Sequence, residues 1–268
     1  MTGSSFLATD LPGLDLAAFA QAGRHPIAFA YVREPGRLDC SGYGGSSVAS
    51  GQCAFTQDAA FANFLAARGI GRPSVEQAYE LTMTDATRDL VDALASYRYP
   101  TPEIEKLAEL AALGVTRTYI SGLAATGNAP KSLDDLTQFA ALDVTPAYID
   151  ALRRSGYSGL SSDEIAQLKA VGVTPELIGS LAAAGYPRLT ADEIEQMAAL
   201  DITPAFIGSF ARIGYANLPV GTLVELKALD VTPEYVRSLR ARGISARSAE
   251  QLVEYKSLGF GDNRSNRR

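Results

Sequence analysis

The side chains that could do chemistry in this chain are two cysteines, one histidine and a recurring set of carboxylates. Cys40 and Cys53 are the only cysteines and His25 is the only histidine among 268 residues. Two thiols and one imidazole at these spacings supply too few ligands for a structural zinc site. A single histidine also leaves no His-x-x-x-His metal pair, and no glycine-rich phosphate loop ending in lysine is present. We therefore expect no cofactor, no metal and no nucleotide hydrolysis.

Carboxylates recur at a fixed interval of 29 residues, for example at Glu76, Glu105, Asp134, Asp163 and Asp192. Paired carboxylates could act as general acid and base. Each of these, however, falls where the pattern predicts the first turn of a helix, and a negative charge there is favoured by the helix dipole and by capping. We expect these residues to support helix starts rather than catalysis.

The two cysteines lie in a segment whose apolar runs and glycines predict strands. Residues 26–32 form one apolar run, and residues 38–42 and 51–55 predict a hairpin around a loose Gly/Ser loop. Neighbouring positions on paired strands can reach disulfide geometry, so we predict a bond between Cys40 and Cys53. Such a bond would place the chain in an oxidising compartment. The alternative is a pair of buried free thiols in the cytosol.

From residue 58 the chain repeats itself seven times with a period of 29 residues. A Thr-Pro step begins four of the repeats, at Thr145, Thr174, Thr203 and Thr232, and degenerate copies begin at Thr116, Thr87 and Asp58. A glycine row has the same period, with Arg98 as its one exception: Gly69, Gly127, Gly156, Gly185, Gly214 and Gly243. A fixed period of this size is typical of a solenoid, in which each unit buries its apolar face against its neighbours.

Each repeat predicts two short helices, A and B, as residues 145–173 illustrate. Thr145 can cap helix A, whose first turn opens with a proline, and Gly156 can provide the left-handed residue that ends it. Ser161 and Glu164 have the spacing of a capping box, which predicts the start of helix B. Helices of roughly ten residues are not stable alone in water, so the pairs must stack. The sequence predicts a mainly α fold, an α-solenoid of seven helix-turn-helix repeats.

The sequence divides into three predicted parts: an N-terminal β-hairpin cap at 1–57, the seven-repeat α-solenoid at 58–260 and a disordered tail at 261–268. The β-element would cover the apolar end that an open stack leaves exposed. A net charge of −6 argues against nucleic-acid binding, because phosphate contacts need clustered cations. No apolar run of about 18 residues or more predicts a membrane span, so we expect no membrane insertion of this segment. The small, polar start at 1–5 shows no secretory signal and is consistent with removal of a signal or of a preceding domain.

Helix B carries a glutamine or glutamate at the same position in all seven repeats. The members of this polar row are Glu80, Glu109, Gln138, Gln167, Gln196, Glu225 and Glu254. The row either lines one ridge of the solenoid or forms hydrogen bonds to adjacent turns. We take its three glutamines as candidate binding residues.

A tyrosine follows the residue that ends helix A in four repeats. These residues are Tyr99, Tyr157, Tyr186 and Tyr215. They either form a ladder that stacks on a peptide or glycan, or make the hydrophobic contact that accompanies a glycine helix stop. We include them among the candidate binding residues.

The chain contains four short motifs in a fixed order. The strand segments VREPG at 32–36 and FT at 55–56 come first, and the repeat blocks LSSDEI at 160–165 and GVTPELI at 172–178 follow them. In these features the chain after Phe29 resembles the C-terminal module of bacterial proteins of the BlaR-type antirepressor metallopeptidase group. The resemblance implies an extracytoplasmic bacterial repeat module with a sensing or interaction role. The peptidase domain and its zinc motif are absent from this sequence, so the resemblance does not imply proteolysis. That group usually has phenylalanines where this chain has its two cysteines, which supports their being paired neighbours.

We expect a non-catalytic scaffold for a protein or peptide partner in bacterial envelope sensing or signalling, in the periplasm or outside the cell. The alternative is a receptor for a small cell-wall-type ligand, seated between the β-cap and the first two repeats near Tyr31, Phe64 and Tyr79. An enzyme is the third possibility, but no pairing of a nucleophile with a base stands out.

Overall fold

The computed structural model describes residues 11–46 and 48–261, and in these ranges the chain is mainly helical with one small antiparallel sheet near its N-terminus. The strands are β1 (His25–Arg33), β2 (Gly36–Gly45) and β3 (Val48–Gln57). The helices are α1 (Leu16–Ala20), α2 (Ala59–Ala67), α3 (Val75–Met83), α4 (Arg88–Ser96), α5 (Ile104–Ala112), α6 (Arg117–Thr126), α7 (Leu133–Ala141), α8 (Pro146–Arg154), α9 (Ser162–Ala170), α10 (Pro175–Ala183), α11 (Ala191–Ala199), α12 (Pro204–Ala211), α13 (Val220–Ala228), α14 (Pro233–Ala241) and α15 (Ala249–Ser257). All but the first residue of the tail predicted at 261–268 lies outside the described residues.

From α2 onward the helix starts follow the period of the sequence. The even-numbered helices begin at residues 59, 88, 117, 146, 175, 204 and 233, and the odd-numbered helices from α3 begin at 75, 104, 133, 162, 191, 220 and 249. Each series advances by 29 residues. The even-numbered helices are thus the predicted A helices and the odd-numbered ones the B helices. The stacking of these pairs into one solenoid stays a prediction.

Side-chain caps explain where most of these helices begin. Five threonines of the Thr row each accept a hydrogen bond from the backbone N–H three residues on: Thr87, Thr116, Thr174, Thr203 and Thr232. Complete capping boxes join Ser74 to Gln77, Ser161 to Glu164 and Thr190 to Glu193. Ser132 and Ser248 make only the first bond of the box. The capping box predicted at Ser161 and Glu164 is therefore confirmed.

Each helix from α2 to α15 is followed by a residue with positive φ. Arg98, the exception in the glycine row, adopts φ 62° at the same place as the glycines. The row that ends the B helices contains two residue types: glycine at Gly114, Gly172 and Gly259, and aspartate at Asp85, Asp143, Asp201 and Asp230. Aspartate is enriched among the non-glycine residues that adopt the left-handed conformation. Because aspartate and glycine share this row, its period is hidden in the sequence.

The chain divides into two compact units, Met1–Pro146 and Ala147–Arg268. In the first unit the sheet and α3 are in contact, and α3, α5 and α7 pack in sequence. In the second unit α9, α11, α13 and α15 pack in sequence, around buried residues such as Leu168, Ile194 and Leu223. The boundary between the units lies inside the predicted solenoid segment, and the sheet belongs to the same unit as the first helices.

The sheet has the strand order β1-β2-β3, with both pairs antiparallel. One of its faces carries Ile27, Phe29 and Tyr31 of β1, and it packs against Leu11 and Met83. The free edge of β1 is covered, because the Ala30 backbone N–H donates to the Pro12 carbonyl at 2.9 Å. On β3, by contrast, residues 48–54 are all exposed.

Candidate functional site

The polar row is exposed on every B helix. All seven side chains that form it, from Glu80 to Glu254, lie on the surface. In the second unit Gln167, Gln196, Glu225 and Glu254 project from α9, α11, α13 and α15, which are neighbours. In the part of the chain that the structure describes, the amides of Gln138, Gln167 and Gln196 make no hydrogen bond. Of the two interpretations of this row, the structure favours an exposed ridge over bonds between adjacent turns.

Three of the first-turn carboxylates of the B helices, unlike the glutamines of the polar row, are bonded to the preceding B helix: Glu105, Asp134 and Glu250. The Gln77 amide donates to Glu105 at 2.7 Å, Lys106 lies 2.9 Å from Asp134, and the Thr222 hydroxyl donates to Glu250 at 3.2 Å. The hydrogen bond from Gln77 lowers the pKa of Glu105. These carboxylates therefore act in helix starts and in contacts between helices, as their position in the first turn predicts.

The lysines of the B helices in the second unit turn away from the polar row. Lys169, Lys227 and Lys256 lie over the rings of Tyr148, Phe206 and Tyr235, with the ammonium 4.9, 5.0 and 4.9 Å from the ring centroids. This is cation–π geometry, which holds the ammonium groups against the A helices. The exposed ridge of the second unit consequently presents amides and carboxylates without these three cations.

The four candidate tyrosines do not form one exposed ladder, and that part of the binding hypothesis needs correction. Tyr99 and Tyr215 are each 8% exposed, so their ring faces are covered by the protein. Tyr157 and Tyr186 are half-buried. The Tyr186 hydroxyl donates to the Leu218 carbonyl at 2.6 Å and that of Tyr215 to the Ala246 carbonyl at 2.9 Å. Packing against a later loop, rather than stacking on a ligand, accounts for Tyr186 and Tyr215.

A second tyrosine row, which the sequence analysis missed, lies in the first turn of the A helices. The hydroxyls of Tyr119, Tyr148 and Tyr235 donate to carbonyls 25 residues further on, at Val144, Val173 and Phe260, over 2.7 to 3.0 Å. Burial raises the pKa of Tyr119 and of Tyr148 to about 12. Leucine or phenylalanine replaces tyrosine in other repeats, so the sequence pattern looked purely apolar.

The predicted disulfide is present. Cys40 and Cys53 are directly opposite each other in the register of β2 and β3, and they are bonded. The prediction of a disulfide is therefore confirmed, and the alternative of two free thiols is wrong. The bond ties β3, the strand with an exposed edge, to the centre of the sheet.

Open cavities flank the sheet near Gly42 and Gly51, which face each other across β2 and β3. One, of about 190 Å³, is lined by Ile27, Phe29 and the disulfide. The other, of about 710 Å³, is lined by Arg24, Tyr43 and Gln52 among others. The small-ligand hypothesis placed its site elsewhere, near Tyr31, Phe64 and Tyr79. Tyr31 is only 5% exposed, which removes it as a ligand contact.

No group of three His, Cys, Asp or Glu side chains among residues 11–46 and 48–261 is arranged to hold a metal ion. In the same ranges, no helix is both long and apolar enough to cross a membrane. Comparison with models of protein families, with curated proteins and with solved structures found no match for this chain, so the resemblance to the antirepressor metallopeptidase group stays a prediction.

Proposed function

We propose that this chain is a non-catalytic helical scaffold that binds an extended peptide segment of a protein partner along the polar row of the B helices of its second unit, α9, α11, α13 and α15. The observation that carries the proposal is the exposure of that row on every B helix, with amides that the chain itself does not use. Exposed amides can supply both donors and acceptors to a peptide backbone.

The spacing of the row suits an extended peptide. Packed helices lie roughly 8–10 Å apart, so the glutamines of α9 and α11 stand about that far from each other. A peptide in the extended polyproline II conformation advances about 3.1 Å per residue with three residues per turn, so its peptide groups three residues apart are separated by about 9 Å and point the same way. One helix pair would bind every third peptide group, with Gln167 and Gln196 as the best-placed contacts.

The surroundings of the row allow the backbone of a partner to come close. On the C-terminal side of the row, α9, α11 and α13 expose Ala170, Ala199 and Ala228, which are too small to hold a peptide away. On its N-terminal side Asp163 and Asp192 are also exposed. A peptide that carries a basic residue would be favoured over an acidic one, because like charges in contact cost free energy.

The proposed place of action is outside the cytosol. The Cys40–Cys53 disulfide persists in oxidising compartments and is rare in reducing ones. We propose a bacterial envelope or extracellular location on this ground and on the resemblance described above.

Selection of peptides from a random displayed library on the oxidised chain tests the proposal. Selected peptides should bind the Gln167→Ala/Gln196→Ala variant about tenfold more weakly, because two uncharged hydrogen bonds are lost. A matched control is Gln21→Ala/Gln52→Ala, which removes two exposed glutamines outside the row. Failure to select any peptide, or equal binding by the row variant, would refute the proposal.

A second candidate function is binding of a small polar ligand in the open cavity beside Tyr43. The cavity of about 710 Å³ combines the Tyr43 ring, which is 49% exposed, with the Arg24 guanidinium 4.3 Å from the ring centroid. Peptidoglycan fragments are the first ligands to test by calorimetry. If this function is the right one, Tyr43→Ala and the Gln21→Ala/Gln52→Ala control should weaken binding, and Gln167→Ala/Gln196→Ala should not.

A further inference from the structure

The two edges of the sheet are treated differently by the fold. At the edge of β1, the Pro12 carbonyl accepts the Ala30 N–H, the loop around Gly13 lies against Ala28, and Pro26 interrupts the row of donors. At the edge of β3, residues 48–54 are exposed on both faces and pair on one side only, with β2. The fold therefore protects one edge and leaves the other open.

The sequence of β3 also lacks the usual protection of an open edge. Native proteins discourage edge pairing with charged residues, prolines or bulges. β3 reads VASGQCAFTQ, with no charge and no proline, and its register with β2 is unbroken. An unguarded edge of this kind is a template for another strand, because its outward backbone N–H and C=O groups have no strand partner.

We propose that the occupant of this edge is the β3 strand of a second copy of the chain, paired antiparallel about a two-fold axis at Gly51. This inference is separate from the proposed peptide binding on the B helices. The exposed segment 48–54 is centred on Gly51, so this axis pairs every residue of the segment with a residue of the same segment in the second copy. A two-fold contact of this kind uses the same surface patch on both copies.

The pairing that this axis imposes is self-complementary. Val48 would face Ala54, Ala49 would face Cys53, and Ser50 would face Gln52, each twice. Apolar side chains thus meet apolar ones on both faces, and the one polar pair can form a hydrogen bond. β3 has no charged side chain that could attract a charged partner strand, whereas a second copy of β3 would place apolar residues opposite apolar ones and polar residues opposite polar ones.

The disulfide fits this role. Cys53 lies in the middle of the open edge, and its bond to Cys40 fixes β3 to β2 directly opposite. A partner strand would therefore dock on an edge that is already held in the extended conformation, which lowers the entropic cost of pairing. The result would be one continuous six-stranded sheet across two copies.

A charge-swap series measured by sedimentation equilibrium tests the proposal on the full chain. Ser50→Lys/Gln52→Lys places two lysine pairs opposite each other across the axis, whereas Ser50→Lys/Gln52→Glu places two Lys–Glu pairs there. We expect the unchanged chain and the Lys/Glu variant to have twice the mass of one chain, and the Lys/Lys variant to have the mass of one. An unchanged chain that stays monomeric at all concentrations, or a Lys/Lys variant that still dimerises, would overturn the proposal.

Hydrogen exchange provides a second readout that does not depend on the folding of a variant. In the unchanged chain, the amides of residues 48–54 that point away from β2 should become more protected as the protein concentration rises, since dimerisation fills the free edge. The amides of α11 should not change. Concentration-independent exchange in β3 would contradict the proposal even if the chain dimerised through another surface.

Discussion

Replacement of Gly185 by alanine should destabilise the second unit, whereas the same replacement at Gly179 should stabilise it. Both glycines belong to the α10 segment, and a Cβ at either would meet no atom within 4 Å. They differ in backbone conformation alone. Gly185 has φ 103° and ends the helix, with the Tyr186 N–H donating to the Leu181 carbonyl at 3.0 Å, whereas Gly179 lies inside the helix.

The magnitudes follow from this difference. A residue with a Cβ in the left-handed region destabilises the folded state by about 1–2 kcal/mol. Alanine also lowers the conformational entropy of the unfolded chain relative to glycine, which offsets about 0.4–1 kcal/mol of that cost. Gly185→Ala should therefore lower the free energy of unfolding by about 1 kcal/mol. Alanine inside a helix is favoured over glycine by about 0.5–1 kcal/mol, so Gly179→Ala should raise the free energy of unfolding by that amount.

Urea unfolding followed by far-UV circular dichroism measures both variants against the unchanged chain. Because the two substitutions add the same methyl group to open space in one segment, packing and solubility effects are shared, and the sign separates them. Equal shifts of the unfolding midpoint in the same direction would refute the assignment of Gly185 as an obligatory left-handed helix stop.

Three further predictions follow from other residues. Arg98→Gly should raise the free energy of unfolding by about 0.5–1 kcal/mol in the same urea assay, because Arg98 has φ 62° where six repeats have glycine. A lower stability of the variant would show that contacts of the arginine side chain stabilise the fold by more than the backbone strain destabilises it. Reduction of the Cys40–Cys53 bond, which closes a separation of 13 residues, should destabilise the first unit by about 3 kcal/mol, measured as urea unfolding with and without reductant; the Cys40→Ser/Cys53→Ser variant, insensitive to reductant, is the control. The pKa of Tyr148 is raised from 10.0 to about 12, so its protonated form contributes stability that is fully present below pH 10 and is lost as the pH rises through about 12. In alkaline unfolding, Tyr148→Phe should therefore lose less stability than the unchanged chain. Identical pH profiles for the two proteins would show that the buried hydroxyl is not the cause of the loss.

The sequence predicted the helices well because their ends carry local signals. Thr174, Pro175 and Gly185 act within a few residues of their own position, so spacing alone located α10. The disulfide was predictable for a similar reason, since the two cysteines fall on paired strands. Asp143 and Asp201 were missed as helix stops because aspartate has several other roles in turns, and no single repeat shows which role applies.

The candidate site was less predictable, because exposure depends on tertiary packing. Tyr99 and Tyr157 occupy the same place in the repeat, yet Tyr99 is buried and Tyr157 is half-buried. The role of Tyr148 could not be predicted either, because its hydroxyl reaches a carbonyl 25 residues away. Gln167 and Gln196 were identified by their recurrence, but only the structure shows that they are exposed.

The range of these long hydrogen bonds has a consequence for how such a chain can change in length. In the second unit, the tyrosine hydroxyls bond to carbonyls 25, 31 or 32 residues further on, and the bond from Thr222 to Glu250 spans 28. Each of these hydrogen bonds therefore lies within one repeat or joins it to the next repeat. Deletion or duplication of 29 residues in the register of the repeat would supply an equivalent partner for almost every bond. A gene that encodes this chain could therefore gain or lose whole repeats by unequal recombination and leave few buried groups unpaired at the junction.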